Sequence, residues 1–377
     1  MRAVLDTRPS CLSGKVKLQP LARSYLAQGL VTGWLSDEQE VNFMASVSLS
    51  GDSEWAPFRI APSFSERVWG CRDLHPWYNK IAAEQPIGEA WLTGDQCLAA
   101  SGAHAGQPLG ALFAQFPKAL LGPSAPESGQ NNPSPLLIKV IFAREKLSVQ
   151  VHPDDQMAQK YGDPRGKTEC WYVLAAEEGT QVACGLKPGV TLNEVKAGIE
   201  AGTLEQSLNL LDVTAGEVVF VAAGTVHAIW PGSILLETQQ NCDLTYRMYD
   251  YGRGRELHIA KSLEATRLTT RAGKVPPKVL ANRTILVEGE YFRVERIPVA
   301  GSRTSISLAG EGETAPGLQY LFVAAGAAKI AGQGIDAVEL PKGGIVAVPA
   351  SSPKFAVEDV GGLELIRITP LWPEGKR

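Results

Sequence analysis

Histidine is scarce in this chain: His75, His104, His152, His227 and His258 are all there are in 377 residues. A metal site built on imidazole therefore has few candidates. Thiolates offer no substitute, because Cys11, Cys71, Cys97, Cys170, Cys184 and Cys242 lie far apart and form no Cys-x-x-Cys pair. That argues against a thiolate zinc site and a dithiol redox motif, and leaves the cysteines as small buried hydrophobes of a reducing compartment. Cationic charge is not in excess, with 36 Lys and Arg against 40 Asp and Glu and a net charge of −4. Nucleic acid and anionic membrane surfaces are therefore not expected partners. No apolar run reaches the length needed to span a bilayer. The first residues, Met1 to Pro9, carry a charge every few positions and lack the apolar centre of a signal peptide, so a cytoplasmic location is expected.

What is present is a soluble composition with 38 glycines and 25 prolines, a sign of many turns. The length allows two or three domains. Residues 1–55 suggest a short helix over Leu18–Leu30 and a capped helix start at Leu35–Glu40, but no chemistry. They are taken as an extension of unknown role.

Chemistry begins further on. In Leu147–Asp155 a Val- and Leu-rich run places Gln150 and His152 two apart, so on a strand they share a face. An amide oxygen and an imidazole nitrogen aimed into one cavity suit a divalent metal, although a lone Gln-x-His is also compatible with an ordinary strand histidine. The strand Leu136–Phe142 carries one charge, Lys139, which alone would read as an edge-strand lysine that blocks aggregation. Tyr161–Gly166 is a polar loop, followed by the strand Lys167–Leu174, where Lys167 and Glu169 share a face. Glu169 offers an oxygen ligand with a cation beside it; the competing reading is a surface ion pair of little worth. Glu89, set between Gly88 and Ala90 beside Trp91, is a carboxylate in apolar surroundings and calls for a partner. Thr191-Leu-Asn-Glu194 is a capping box, and the helical pattern continues over Leu204–Leu211. Together they predict a helical cover inserted over a β core. Gly216 to His227 then gives a glycine turn, a buried strand, a second glycine turn and a histidine. This resembles the second signature motif of cupin barrels, with Ala222 where proline is usual.

Taken together, Val149–Asp155, Gly166–Tyr172, Gly224–Ile229, Leu236–Gln240 and Asp243–Arg253, preceded by Val68-Trp69-Gly70 and Gly88–Trp91, resemble the type I phosphomannose isomerases of the cupin superfamily, closest to their shorter bacterial members. The resemblance spans about residues 57–370. It implies a mainly β fold of two cupin (jelly-roll sandwich) domains with a small helical insertion: 56–275 catalytic and metal-binding, 283–372 cupin-like and without metal. The C-terminal half holds no histidine, in keeping with that.

The resemblance further implies one Zn2+ per chain, held by Gln150, His152, Glu169 and His227. The implied reaction is the interconversion of mannose 6-phosphate and fructose 6-phosphate through a cis-enediol. Arg247, Lys167, Glu237 and Asp243 become the catalytic residues, and Lys139 joins Arg247 in substrate binding. The partner is then a small sugar phosphate, and the chain a monomer or weak homo-oligomer. Two other outcomes stay open: a cupin acting on another sugar or sugar phosphate, and a non-catalytic sugar binder. One departure stands out, since longer members of the family have a histidine implicated in ring opening where this chain has Gly166. Ring opening would then use another group or a water, or occur in solution.

Overall fold

A computed structural model describes residues 54–123, 134–299, 304–306, 316–333 and 335–372. The chain divides into Met1–Gly51 and Asp52–Arg377, and only the second unit is described. The helices expected over Leu18–Leu30 and from Leu35 lie outside the described residues.

The second unit is mainly β, with four antiparallel sheets stacked in layers. The seven-stranded sheet runs Gly273–Lys274, Val218–Val221, Glu169–Ala176, Ser233–Gln240, Leu136–Ala143, Ile87–Trp91, Ser63–Cys71. A five-stranded sheet covers one of its faces, in the order Tyr246–Tyr249, Val149–Val151, His227–Ile229, Gln181–Leu186, Leu208–Asp212. Between these two lie Ile141, Trp171, Val173, Val219 and Leu235 from the larger sheet and Val182, Cys184 and Ile229 from the smaller. Period-2 alternation sends the intervening residues the other way. Ile138, Val140, Phe142, Tyr172 and Leu236 thus face outward and pack against Tyr320, Phe322, Ile366 and Ile368 of the C-terminal half.

Those C-terminal residues belong to an eight-stranded sheet whose opposite face, with Leu321, Val323, Val346 and Leu365, closes on a four-stranded sheet through a second hydrophobic core, beside a buried cluster of Glu295 with Arg283, Arg293 and Arg367. The second unit is thus two sandwiches set back to back. The strand Phe58–Ala61 pairs with Ile345–Val348, so the start of the described chain completes the C-terminal sheet before the first sandwich begins.

Helices Leu192–Ala201 and Ile259–Ala265 lie on the outer face of the five-stranded sheet, against Val149, Val151, Ala183 and Met248. The capping box forms as expected: Thr191 Oγ1 accepts from the Glu194 amide, and the Glu194 carboxylate accepts from the Thr191 amide. The helical reading of Leu204–Leu211 is corrected. One turn of 3₁₀ helix, Leu204–Ser207, gives way to the strand Leu208–Asp212, whose pairing with Gln181–Leu186 outweighs helix propensity. Among the described residues no helix is long and apolar enough to cross a membrane.

Candidate active site

Alternation along the strands decides which polar groups enter the first sandwich. Lys139 has the parity of Ile141, Glu237 that of Leu235, and Glu169 that of Trp171, so all three point inward. On the opposite sheet Val149 and Val151 face the helices, which turns Gln150 inward. His227 and Arg247 both pair with Gln150, one from each side, and complete a row His227–Gln150–Arg247.

His152, Glu169 and His227 meet at the floor. Their ligand atoms lie within 4.8 Å of one another. Nε2 of His152 is 3.4 Å from Glu169, and Nε2 of His227 is 3.5 Å from its other oxygen. All three are essentially inaccessible to solvent. Both ring nitrogens of His152 and both oxygens of Glu169 are buried without a hydrogen-bond partner. A carboxylate converging with the Nε2 atoms of two neutral imidazoles would be costly in a plain core, and a cation between them removes the cost. Nδ1 of His227 donates to the Thr225 carbonyl at 2.9 Å, which fixes the tautomer and leaves the Nε2 lone pair facing the cluster. Burial pushes the His227 imidazole down to about 4 and that of His152 well below its usual value, so both stay neutral as ligands must. Burial, and after it the charge of Glu237, pushes the Glu169 carboxyl up to about 8, a cost that a bound cation would reverse.

Gln150 is next to this cluster. Its Nε2 lies 3.2 Å from His227 Nε2, while its Oε1 accepts from Ser148 Oγ at 3.3 Å. To offer oxygen to a metal, the amide would turn over and exchange the two atoms.

The floor opens into a cavity of about 600 Å³ between the two sheets, lined among others by Lys139, Lys167, Glu237, Asp243 and Arg247. Its mouth lies along the edge strands Ser63–Cys71 and Tyr246–Tyr249. Lys139 is 3% exposed and sits in a central strand, flanked on both sides by paired strands, which rules out the edge-lysine reading. Its ammonium lies 2.9 Å from Glu237 and 3.7 Å from Glu89. Each carboxylate has a tryptophan donor, Trp171 for Glu237 at 3.1 Å and Trp91 for Glu89 at 2.8 Å, and Arg67 reaches Glu89 at 2.9 Å. Burial alone would raise both carboxyls. Lys139 outweighs it, with Lys167 at Glu237 and Arg67 at Glu89, and holds both below the usual carboxylate range.

Lys167 Nζ lies 3.4 Å from Glu169, and the backbone around it is clamped. The Lys167 amide donates to the Pro153 carbonyl at 3.0 Å, and the Gly166 amide to Asp155 Oδ1 at 2.8 Å. On the other side the Thr168 amide donates to Gln240 Oε1, whose own Nε2 donates to Asp155. A Cβ on Gly166 would come within 2.5 Å of backbone atoms of Pro153 and Asp154. No side chain fits at that position without moving the turn, so the histidine of the longer relatives has no room here. Asp154 caps the helix Asp155–Lys160 by accepting from the Met157 amide.

Arg247 Nη1 donates to the Glu256 carbonyl at 2.9 Å, and its Nε is buried without a partner. Asp243 is exposed at the rim. All nine residues expected from the sequence therefore lie at the cavity or directly beneath it. Reading the sequence for chemistry left out Arg67, Ser148, Trp171 and Arg255. Only Glu89, a charge in an apolar run, gave an advance signal of the carboxylate that completes the Lys139 cluster.

Four matches to known proteins bear on this site. The family model described as Phosphomannose isomerase type I, catalytic domain matches residues 58–184. A mannose-6-phosphate isomerase of Streptococcus mutans is 31% identical over 328 residues, which is 82% of this chain and 97% of that protein. Another from Bacillus subtilis, ManA, is 33% identical over 265 residues, 65% of this chain and 80% of its own length. A crystal structure of the mannose 6-phosphate isomerase from Bacillus subtilis superposes with a TM-score of 0.73 at 28% identity, covering 83% of this chain and 99% of that one.

Proposed function

Because the chain belongs to the type I phosphomannose isomerase family and acts as a mannose-6-phosphate isomerase, we propose that its site residues divide the reaction as follows. Gln150, His152, Glu169 and His227 hold one zinc ion. The observation that carries this is the buried convergence of one ligand atom each from His152, Glu169 and His227 within 4.8 Å of one another, a donor set of the kind zinc takes. When bound, the metal supplies Lewis-acid polarisation of the sugar oxygens at C1 and C2.

The remaining work falls to side chains. Mannose 6-phosphate becomes fructose 6-phosphate when a proton leaves C2 and is returned at C1, with a cis-enediol between. Lys167, beside Glu169, moves that proton. Arg247, in register with Gln150, offsets the negative charge that develops on the enediol oxygens. Lys139 binds sugar hydroxyls from the opposite sheet, and Glu237 both orients Lys139 and accepts from the sugar. Asp243, at the accessible rim, assists ring opening in place of the histidine that Gly166 excludes. Every one of these groups comes from a single chain, so the reading needs no partner subunit and suits a monomer or weak homo-oligomer. We assign the machinery to residues 56–275, treat 283–372 as a metal-free supporting half, and place the protein in cytoplasmic carbohydrate metabolism.

A coupled assay with mannose 6-phosphate tests this, with chelator and then zinc added back. Turnover that vanishes with chelator and returns with zinc is expected. A fully metallated protein inert toward mannose 6-phosphate would overturn it.

A further inference from the structure

The wall that carries Arg247 holds a second guanidinium, Arg255, which also lines the cavity. After the strand Tyr246–Tyr249 the chain turns and comes back along it. There the His258 amide donates to the Arg247 carbonyl at 2.8 Å, and the Arg247 amide to His258 Nδ1 at 3.2 Å. The returning segment therefore lies outside Arg247 as seen from Gln150, about two strand spacings or ~10 Å from that ligand. A six-carbon sugar held at the metal through its first two carbons is long enough for the anionic group on its sixth to reach this wall of the same cavity.

Arg255 is set up to receive an anion. Its Nε donates to Asp250 Oδ2 at 2.7 Å and its Nη2 to Asp250 Oδ1 at 2.5 Å, a fork on a carboxylate only 3% exposed. That pairing leaves Nη1, with its two N–H groups, as the end still able to donate. The turn beneath is pinned: Tyr251, at φ 57°, donates its hydroxyl to Glu205 at 2.8 Å, and Arg253 donates to the Lys146 carbonyl at 2.7 Å. Arg247, whose Nη1 is tied to the Glu256 carbonyl, faces the same space. The cations on this wall, Arg247 and Arg255, outnumber the buried Asp250 carboxylate, which is paired with Arg255 and is also 3.7 Å from Arg253, and so favour an added anion. The third arginine of the cavity is engaged within the protein, with Arg67 bonded to Ser65, the Glu66 carbonyl and Glu89.

We propose that Arg255 binds the 6-phosphate of the sugar and that Asp250 is the residue positioning it. The proposal rests on the isomerase reading above.

The test uses the full-length, zinc-loaded chain. Arg255→Ala should keep its metal and lose about tenfold to a hundredfold in kcat/KM for mannose 6-phosphate, chiefly through KM, the loss expected for a charge-assisted contact. The preference for phosphorylated over unphosphorylated sugar should fall by the same factor, with partial recovery in Arg255→Lys. In the wild type, inorganic phosphate should slow modification of Arg255 by phenylglyoxal, read by peptide mass spectrometry. This second arm decides the matter if Arg255→Ala does not fold. An unchanged phosphate preference in the variant, or no protection by phosphate, overturns the proposal. Wild-type protein that fails to turn over mannose 6-phosphate strikes the isomerase reading instead, and phosphate protection is scored separately from it.

Discussion

Glu169 is the residue on which the proposed metal site depends most. Its two oxygens are buried and faced by two neutral imidazoles, with only Lys167 at 3.4 Å as a cation, an arrangement that is unfavourable until a metal occupies it. Glu169→Gln removes the charge while keeping the volume. The variant should bind less than a tenth of the wild-type zinc by elemental analysis and lose the rise in Tm that zinc gives the wild type. A variant that retained stoichiometric zinc would rule out Glu169 as a ligand. Gly166 gives a second test, because its absent side chain lets the turn before Lys167 press against Pro153 and Asp154. Gly166→Ala should cost about 1–3 kcal/mol in chemical denaturation, as overpacking does, and should lower kcat by displacing Lys167. Full activity would show that the clamp on Lys167 is dispensable. At this scale the sequence was most legible where two-residue spacing speaks directly, as for Gln150 with His152 and Lys167 with Glu169. Arg255 and Asp250 stayed silent because their meaning lies in a turn that brings them beside a cavity, which no local pattern records.

At the scale of elements, the inner face of the seven-stranded sheet carries a row of charge through its centre. Lys139 pairs in register with Glu237 and with Trp91, and Glu237 pairs with Trp171. One buried ammonium thus serves two buried carboxylates, Glu237 at 2.9 Å and Glu89 at 3.7 Å. Lys139→Met should destabilise the protein by about 3–5 kcal/mol near neutral pH, the range for breaking a buried pair on one side. The pH dependence follows from the lowered pKa of both carboxyls. In the wild type their folded values lie below the unfolded one, so the stabilisation is present above about pH 4.5 and is lost as pH falls through the folded values. Without the lysine the carboxyls titrate higher, and the deficit of the variant should shrink as acid protonates them. Urea melts of both proteins from pH 7 to pH 4 would show the gap narrowing; a constant gap would refute the electrostatic account. The same element scale shows where periodicity misleads. Leu204–Leu211 has helical spacing yet ends as a strand, because the neighbouring edge of Gln181–Leu186 supplies a partner that a local pattern does not reveal.

At the largest scale, the second unit is held by the contact between the backs of its two sandwiches. Phe142, Tyr172, Tyr320 and Phe322 are each 2% exposed or less and belong to one continuous cluster that spans both halves. Polar ties cross the same boundary: the Tyr172 hydroxyl bonds Glu364 and Arg296, and the Tyr291 hydroxyl donates to Asp155, which organises the Lys167 turn. The strand Phe58–Ala61 adds a backbone link, since it precedes the first sandwich in sequence but pairs within the C-terminal sheet. The C-terminal sandwich therefore covers an apolar face that the N-terminal one cannot cover for itself, and one end of the segment assigned to catalysis is built into it. Residues 56–275 made alone would expose Ile138, Val140, Phe142 and Leu236, a patch of the kind that drives association. The fragment should be insoluble, or soluble only as aggregates that bind a hydrophobic dye and little zinc. The intact chain over the same segment should unfold in a single transition, with tryptophan fluorescence and zinc release moving together. A monomeric fragment with full zinc content and native circular dichroism would mean that the two sandwiches are independent and that the shared cluster is dispensable for folding.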